Sequence, residues 1–142
     1  MKRFIDTNIL VYASDTVFRV KNGVAMRIVA KAVRNPDYLV SVQSFNEFSS
    51  VMLGKFKRTV AEIRESLEVY SRIESVPVEK SFTVRALQIQ EQYQLQFYDS
   101  LLLAAAEANG CTEFLSEDLN DGQIYCGMKA VNPFKTAQEG GK

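Results

Sequence analysis

Short apolar runs with strand character recur along this chain, and most are separated by stretches whose apolar residues return every three or four positions. That alternation confines the chain to an α/β layered fold. Parallel strands need a crossover between them, and a helix supplies it, so the expectation is a three-layer sandwich with a mainly parallel central sheet. The strand-like runs are 3–6, Tyr38 to Val42, Ser75 to Glu79, 113–116 and 129–132. Helical spacing predicts a helix over about 22–35, with Val24, Ile28, Val29, Ala32 and Val33 on one side. It predicts a second over about 43–57, with Phe45, Phe48, Met52 and Phe56 at intervals of three and four. Asn35-Pro36 ends the first of these, because the residue before proline avoids the α region. Thr59 and Glu62 form a capping box for a helix running through Ile63, Leu67 and Tyr70. Two more helices are predicted over about 81–94 and 98–109, the latter ended by Asn109-Gly110. Pro77, which cannot donate to a ladder, places the third strand at a sheet edge.

At 142 residues the chain is sized for one domain, expected over residues 1–134, with Lys135 to Lys142 as a frayed tail. Seventeen basic and seventeen acidic residues cancel, so no global field draws in a polyanion, and a nucleic-acid substrate would need a local basic patch. Histidine is absent. Histidine triads, histidine general bases and histidine-rich zinc sites are thereby excluded, leaving carboxylates, lysines, tyrosines or a metal-activated water. Cys111 and Cys126 lack a CxxC spacing and read as buried thiols in a reducing compartment rather than a disulfide. The start Met1-Lys2-Arg3-Phe4-Ile5 resembles a signal n-region, but Asp6 and Asn8 interrupt any apolar h-region after it. No window approaches the roughly 18 apolar residues of a membrane span. A cytoplasmic location without membrane association is the expectation.

Acids stand where the predicted elements begin or end. Asp6 closes the first strand, Glu47 lies about one turn into the helix after the second, Asp99 opens the helix at 98, and Asp118 follows the strand at 113–116. In a parallel sheet the ligand crevice lies outside the carboxyl ends of the strands, so all four can face one place. Each has a plainer reading: Asp6 as the cap of a turn that begins at Thr7-Asn8, Glu47 as a solvated helix residue, Asp99 as a dipole partner, Asp118 and Asp121 as turn residues. Taken together they are harder to dismiss. Two carboxylates about 5 Å apart repel by roughly 3 kcal/mol at an effective dielectric of 20, so four in one pocket require a cation. Oxygen donors alone favour Mg²⁺ or Mn²⁺ over zinc. Such an ion polarises phosphoryl oxygens and acidifies water, which points to phosphodiester hydrolysis. Thr7, Asn8 and Ser116 are short polar groups beside these acids.

Four stretches carry a resemblance. They are Phe4-Ile5-Asp6-Thr7-Asn8-Ile9-Leu10-Val11-Tyr12, Ser44-Phe45-Asn46-Glu47-Phe48, Tyr98-Asp99-Ser100-Leu101-Leu102-Leu103, and Leu115-Ser116-Glu117-Asp118-Leu119-Asn120-Asp121-Gly122-Gln123. In this order, from Lys2 to about Phe134, they resemble the PIN-domain ribonucleases, specifically the VapC-like toxins of prokaryotic toxin–antitoxin pairs. The resemblance implies Mg²⁺- or Mn²⁺-dependent endoribonuclease cleavage of single-stranded RNA, homodimerisation, and inhibition by a cognate antitoxin protein. It implies Asp6, Glu47, Asp99 and Asp118 as catalytic acids. Asp6, Asp99 and Asp118 would hold the metal, with Asp121 as an alternative to Asp118, and Thr7, Asn8 and Ser116 would support them.

RNA also needs cations. Lys55, Lys57 and Arg58, with Phe56 interleaved, form the densest basic cluster; Arg19 and Lys21 form the second. The first cluster reads equally well as a solvated helix end. The side of the third helix bearing Phe48, Val51, Met52 and Phe56 is either core or a groove for an antitoxin segment. Three alternatives share parts of this pattern: a housekeeping RNA-processing nuclease without an inhibitor, a degenerate binding module, and a phosphoacceptor receiver. The last would want an acidic pair at the first strand. A haloacid-dehalogenase-like phosphatase is disfavoured by Asn8 two residues after Asp6.

Overall fold

The computed structural model describes residues 1–135. In chain order these form β1 (Arg3–Ile5), α1 (Thr7–Ser14), α2 (Arg19–Ala32), β2 (Tyr38–Ser41), α3 (Val42–Gly54) and α4 (Val60–Tyr70). Then follow β3 (Glu74–Val76), α5 (Lys80–Tyr93), α6 (Phe97–Ala108), β4 (Glu113–Leu115), β5 (Ile124–Tyr125) and β6 (Met128–Val131). The sheet order is β3-β2-β1-β4-β6-β5. Every pairing is parallel except that of β5 with β6.

Strand alternation assigns the two faces. Phe4, Leu39, Phe114 and Ala130 pack against α5 and α6, in a core with Phe82, Ala86, Ile89 and Leu102. Their neighbours Ile5, Val40 and Leu115 point the other way, into a core with α1 to α4 that includes Ile9, Leu10, Val29, Phe48 and Tyr70. The two-residue period of a strand therefore builds helix, sheet and helix layers from one set of short strands. Phe4 and Phe114 are register partners and stack at 5.3 Å. The expected α/β sandwich is the observed one.

Differences from the sequence reading are local. The segment after Asp6 is a helix, α1, where the sequence suggested a turn. Ile9, Leu10, Val11 and Tyr12 show no amphipathic period because Ile9 and Leu10 are fully buried and Val11 and Tyr12 half-buried. The second helix begins at Arg19, not near 22. β3 ends before Pro77, and it is nonetheless an edge strand. The β5–β6 hairpin was not expected. Its turn is Cys126-Gly127, both at positive φ (52° and 81°), where Cys126 carries none of the usual asparagine or glycine signal. Phe48 and Met52 are core, so the stripe they share with Val51 and Phe56 is not a free groove. Both cysteines are free thiols, Cys111 buried and Cys126 only half so. Of the expected tail, Lys135 pairs with Asp121, and residues 136–142 lie outside the described residues. No helix among the described residues is long and apolar enough to cross a membrane.

Candidate functional site

The chain runs from β1 outward through β2 to β3, then returns to place β4 on the other side of β1. This reversal leaves a crevice at the carboxyl ends of β1 and β4. Asp6 follows β1 directly, and its backbone N–H donates to Leu115 O at 3.0 Å. Ser116 follows β4, and its N–H donates to Val131 O at 3.0 Å. Asp118 sits two residues further, where its own N–H donates to Ser116 Oγ at 3.0 Å. Asp99 lies in the first turn of α6. One carboxylate oxygen from each of Asp6, Asp99 and Asp118 lies within 4.8 Å of the other two.

Asp6 is buried at the floor of the site. It is the N-cap of α1, accepting from Thr7 N at 2.7 Å, and it accepts from Ser116 Oγ at 2.6 Å. Asp6 is therefore a cap, of a helix rather than a turn, and at the same time one of the three converging acids. Burial pushes its carboxyl up to about 7, helped by the Asp99 and Asp118 charges and opposed chiefly by the Ser116 hydrogen bond. Asp99 is pushed above the ordinary carboxylate range by burial and then by Asp118. Asn8 knits the cluster together. Its Nδ2 donates to Asp6 Oδ2 at 3.2 Å and Asp118 Oδ2 at 3.0 Å, and lies 3.4 Å from Ser116 Oγ. These acceptors fix the amide's orientation, and its Oδ1 is left buried without a donor.

Glu47 stands just outside the trio, in the second turn of α3, whose start is capped by Ser41. Gln43 Nε2, one turn earlier, donates to Glu47 Oε2 at 3.1 Å, and Thr7 Oγ1 donates to Oε1 at 3.2 Å. Its pKa is raised by burial first, with Asp99 contributing against the two hydrogen bonds.

The other expected residues are dispersed. Asp121 is not brought to the trio. It accepts from Asn132 N at 2.8 Å and Lys135 Nζ at 3.1 Å, which hold its carboxyl below the usual range. Arg58 reaches Asp15 at 3.4 Å, the fully buried C-cap of α1, and so is tied to the scaffold. Lys55 lines the cleft above the acids, whereas Lys57 and Arg19 do not. Lys21 pairs with Glu117 and lies 5.1 Å from the Tyr12 ring centre. Sequence reasoning missed Tyr12, whose hydroxyl donates to Glu117 Oε2 at 2.7 Å, and Asp15. The signal for Tyr12 was its place six residues after Asp6, less than two turns along a helix that was read as a turn.

The residues fit a hard divalent cation. The donors are all oxygen, three carboxylates converge, and burial raises the pKa of two of them, Asp6 and Asp99. The cleft above them encloses about 400 Å³.

Residues 3–120 match the family model described as the PIN domain. The fold is similar to a chain of a toxin–antitoxin complex from Klebsiella pneumoniae, at 21% identity and TM-score 0.66, covering 93% of this chain and 98% of that one. It is also similar to VapC20 of Mycobacterium tuberculosis, a sarcin–ricin-loop-cleaving toxin, at 14% identity and TM-score 0.67, covering 82% and 92%. No curated protein sequence matches significantly. With the match spanning β1 through the loop that carries Asp118, the chain belongs to the PIN domain family.

Proposed function

We propose that this protein is a metal-dependent endoribonuclease acting as the toxin of a toxin–antitoxin pair. The observation that carries the reading is the convergence of Asp6, Asp99 and Asp118 from three separate elements onto one point. Like charges gathered at that distance, one of them buried, are unfavourable without a cation. In this reading those three carboxylates hold Mg²⁺ or Mn²⁺, which when bound polarises the phosphodiester and acidifies water. Ser116, Thr7 and Asn8 orient the acids through the hydrogen bonds described above. Glu47, held at both oxygens and with a raised pKa, is suited to take a proton from an attacking water. Lys55 offers the incoming phosphate backbone a cation at the cleft.

The toxin–antitoxin complex among the similar structures supports a partner antitoxin, and the RNA-cleaving neighbour supports action on RNA; a homodimer and a cytoplasmic location belong to the same proposal. The primary test is cleavage of a labelled structured RNA with and without Mg²⁺ or Mn²⁺, by wild type, Asp6→Asn and Asp99→Asn. Metal-dependent cutting by wild type alone is expected. Equal cutting by all three preparations would assign the activity to a contaminant. No cutting and no calorimetric metal binding would leave a binding module. Toxicity on expression, relieved by co-expressing the adjacent small reading frame, tests the biological role. Light scattering tests the dimer.

A further inference from the structure

A neutral chain needs a local basic patch to hold a polyanion, and the acid cleft does not supply one. Among the described residues, Lys55 is the one cation that lines it. The patch lies on α2. Residues 16–36 hold five of the seventeen basic residues and none of the seventeen acidic ones. Lys21 is engaged by Glu117, but Arg19, Arg27, Lys31 and Arg34 are exposed and make no ion pair among the described residues. Their spacings of eight, four and three residues keep them on one side of the helix. Gly23 fills the interval between Arg19 and Arg27, and the Arg27 guanidinium lies over it, 3.7 Å from where a Cβ would stand. The stripe begins where Phe18, the N-cap of α2, lines the acid cleft. It ends about 22 Å away, at roughly 1.5 Å per residue. There a hollow of about 290 Å³ is lined by Ala30, Lys31, Arg34, Asn35 and Tyr38.

Local preferences oppose this arrangement. Arg19 stands in the first turn of α2, where a cation works against the macrodipole and no acid offsets it. Arg27 and Lys31 are like charges one turn apart. A merely solvated face mixes its signs, as α4 does with Glu62, Arg64, Glu65 and Glu68. The four cations thus weaken their own helix and gain no partner within the fold, a pattern that marks a surface kept for an external anion. The matching ligand is a line of repeated negative charge with one end at the acids. A nucleic-acid backbone has that form, with one phosphate per ~3.4 Å of a stacked strand. We propose that the outer face of α2 is a track for the phosphate backbone of the RNA arm flanking the cut, reading charge and not sequence. This rests on the ribonuclease reading and extends it: the substrate is held along about six nucleotides beyond the cleft, as well as at the scissile bond. An acidic protein segment is the rival occupant. It would match the cations but has no reason to start at the rim of the acid cleft.

The test compares the full-length wild type with the triple variant Arg27→Gln, Lys31→Gln, Arg34→Gln, whose urea midpoint should be no lower. Binding is read apart from catalysis, by anisotropy of labelled single-stranded RNAs of about 20 nucleotides in Ca²⁺, a length that covers the track. The variant should bind on the order of tenfold to a hundredfold more weakly at 0.1 M salt, with a salt slope lower by about two. Two RNAs of unrelated sequence should lose the same factor, since phosphate contacts carry no sequence information. Cleavage with Mn²⁺ gives the second arm. On the long RNA the variant should raise KM and keep kcat, and on an RNA trimmed to a few nucleotides around the cut it should match wild type. Length-dependent binding that needs the three cations, without cleavage by any protein, would keep the track and remove the nuclease reading. Cleavage with an unchanged salt slope and KM in the variant would overturn the track and keep the nuclease. An equal loss on long and trimmed RNA would place the effect at the cleft and also overturn it. A variant that binds and cuts RNA like wild type but no longer holds a co-expressed acidic partner would make the face a protein interface, and the proposal would fall.

Discussion

Asp6 does two jobs with one carboxylate, closing the N-terminus of α1 and forming the floor of the acid cluster. Its pKa of about 7 against an ordinary 3.8 has a consequence for stability. The folded-state value lies above the unfolded one, so the protonated acid favours the fold. That contribution is complete below about pH 4 and is lost as pH rises through about 7, amounting to about 4 kcal/mol. Glu47 and Asp99, also raised, act in the same direction. The metal-free protein should therefore show a higher urea midpoint at pH 5 than at pH 8, and Asp6→Asn should flatten the difference. A midpoint that rises with pH in both proteins would contradict the assignment. Two neighbouring cations should separate just as clearly. Lys55→Gln is expected to weaken RNA binding and lower the salt slope by about one. Arg58→Ala should leave the slope unchanged, because its guanidinium is engaged by Asp15.

Elements around the site are held by a few polar ties across apolar packing. The Tyr70 hydroxyl, at the end of α4, donates to Leu10 O at 2.7 Å and meets Ser14 Oγ at 2.6 Å, so it fastens α4 to α1. Burial pushes that phenol up to about 12, and it stays a donor at any working pH. Tyr70→Phe should destabilise the protein by about 1 kcal/mol in urea unfolding, since it removes the donor and keeps the ring packed on Phe48. The second tie joins the α3–α4 loop to the end of α1 through Arg58 and buried Asp15, whose Oδ2 has no donor. Arg58→Ala strands a buried carboxylate and should cost about 1–3 kcal/mol, whereas Arg58→Lys should recover part of it. Of these elements the sequence announced α4 through its Thr59–Glu62 box, which the structure reproduces in full. It concealed α1, because a helix with neither a polar face nor a clear period looks like an extended run. It concealed β5 because two residues are too few to show alternation.

The whole molecule joins a neutral chain to a locally acidic crevice. Relief of that local charge should appear as global stability. At about 100 times its dissociation constant, Mn²⁺ bound to the folded state alone adds about 2.7 kcal/mol. For a domain of this size that is on the order of 5–10 °C in Tm. The rise should be seen at pH 8, shrink below pH 7 as protons compete for Asp6, and be absent in Asp99→Asn. An equal rise in the variant would place the ion elsewhere.

The alternation of strand-like and helical segments determined the layered α/β architecture, because parallel strands demand crossovers and a strand's two faces must each be covered. The positions of Asp6, Glu47, Asp99 and Asp118 at element ends were likewise legible, since in such a sheet those ends share one side. What only the tertiary structure decided is which acids meet. Asp118 and Asp121 are three residues apart and chemically identical, and no local rule separates them. Asp118 turns inward because its N–H is held by Ser116 Oγ, while Asp121 is drawn to Asn132 and Lys135 across the β6 end. The same holds for the cations: Lys55 and Arg58 belong to one cluster in sequence, yet one lines the cleft and the other neutralises a buried acid. Sequence spacing sets which residues share an element. The direction in which a side chain points is set by partners that are tens of residues away.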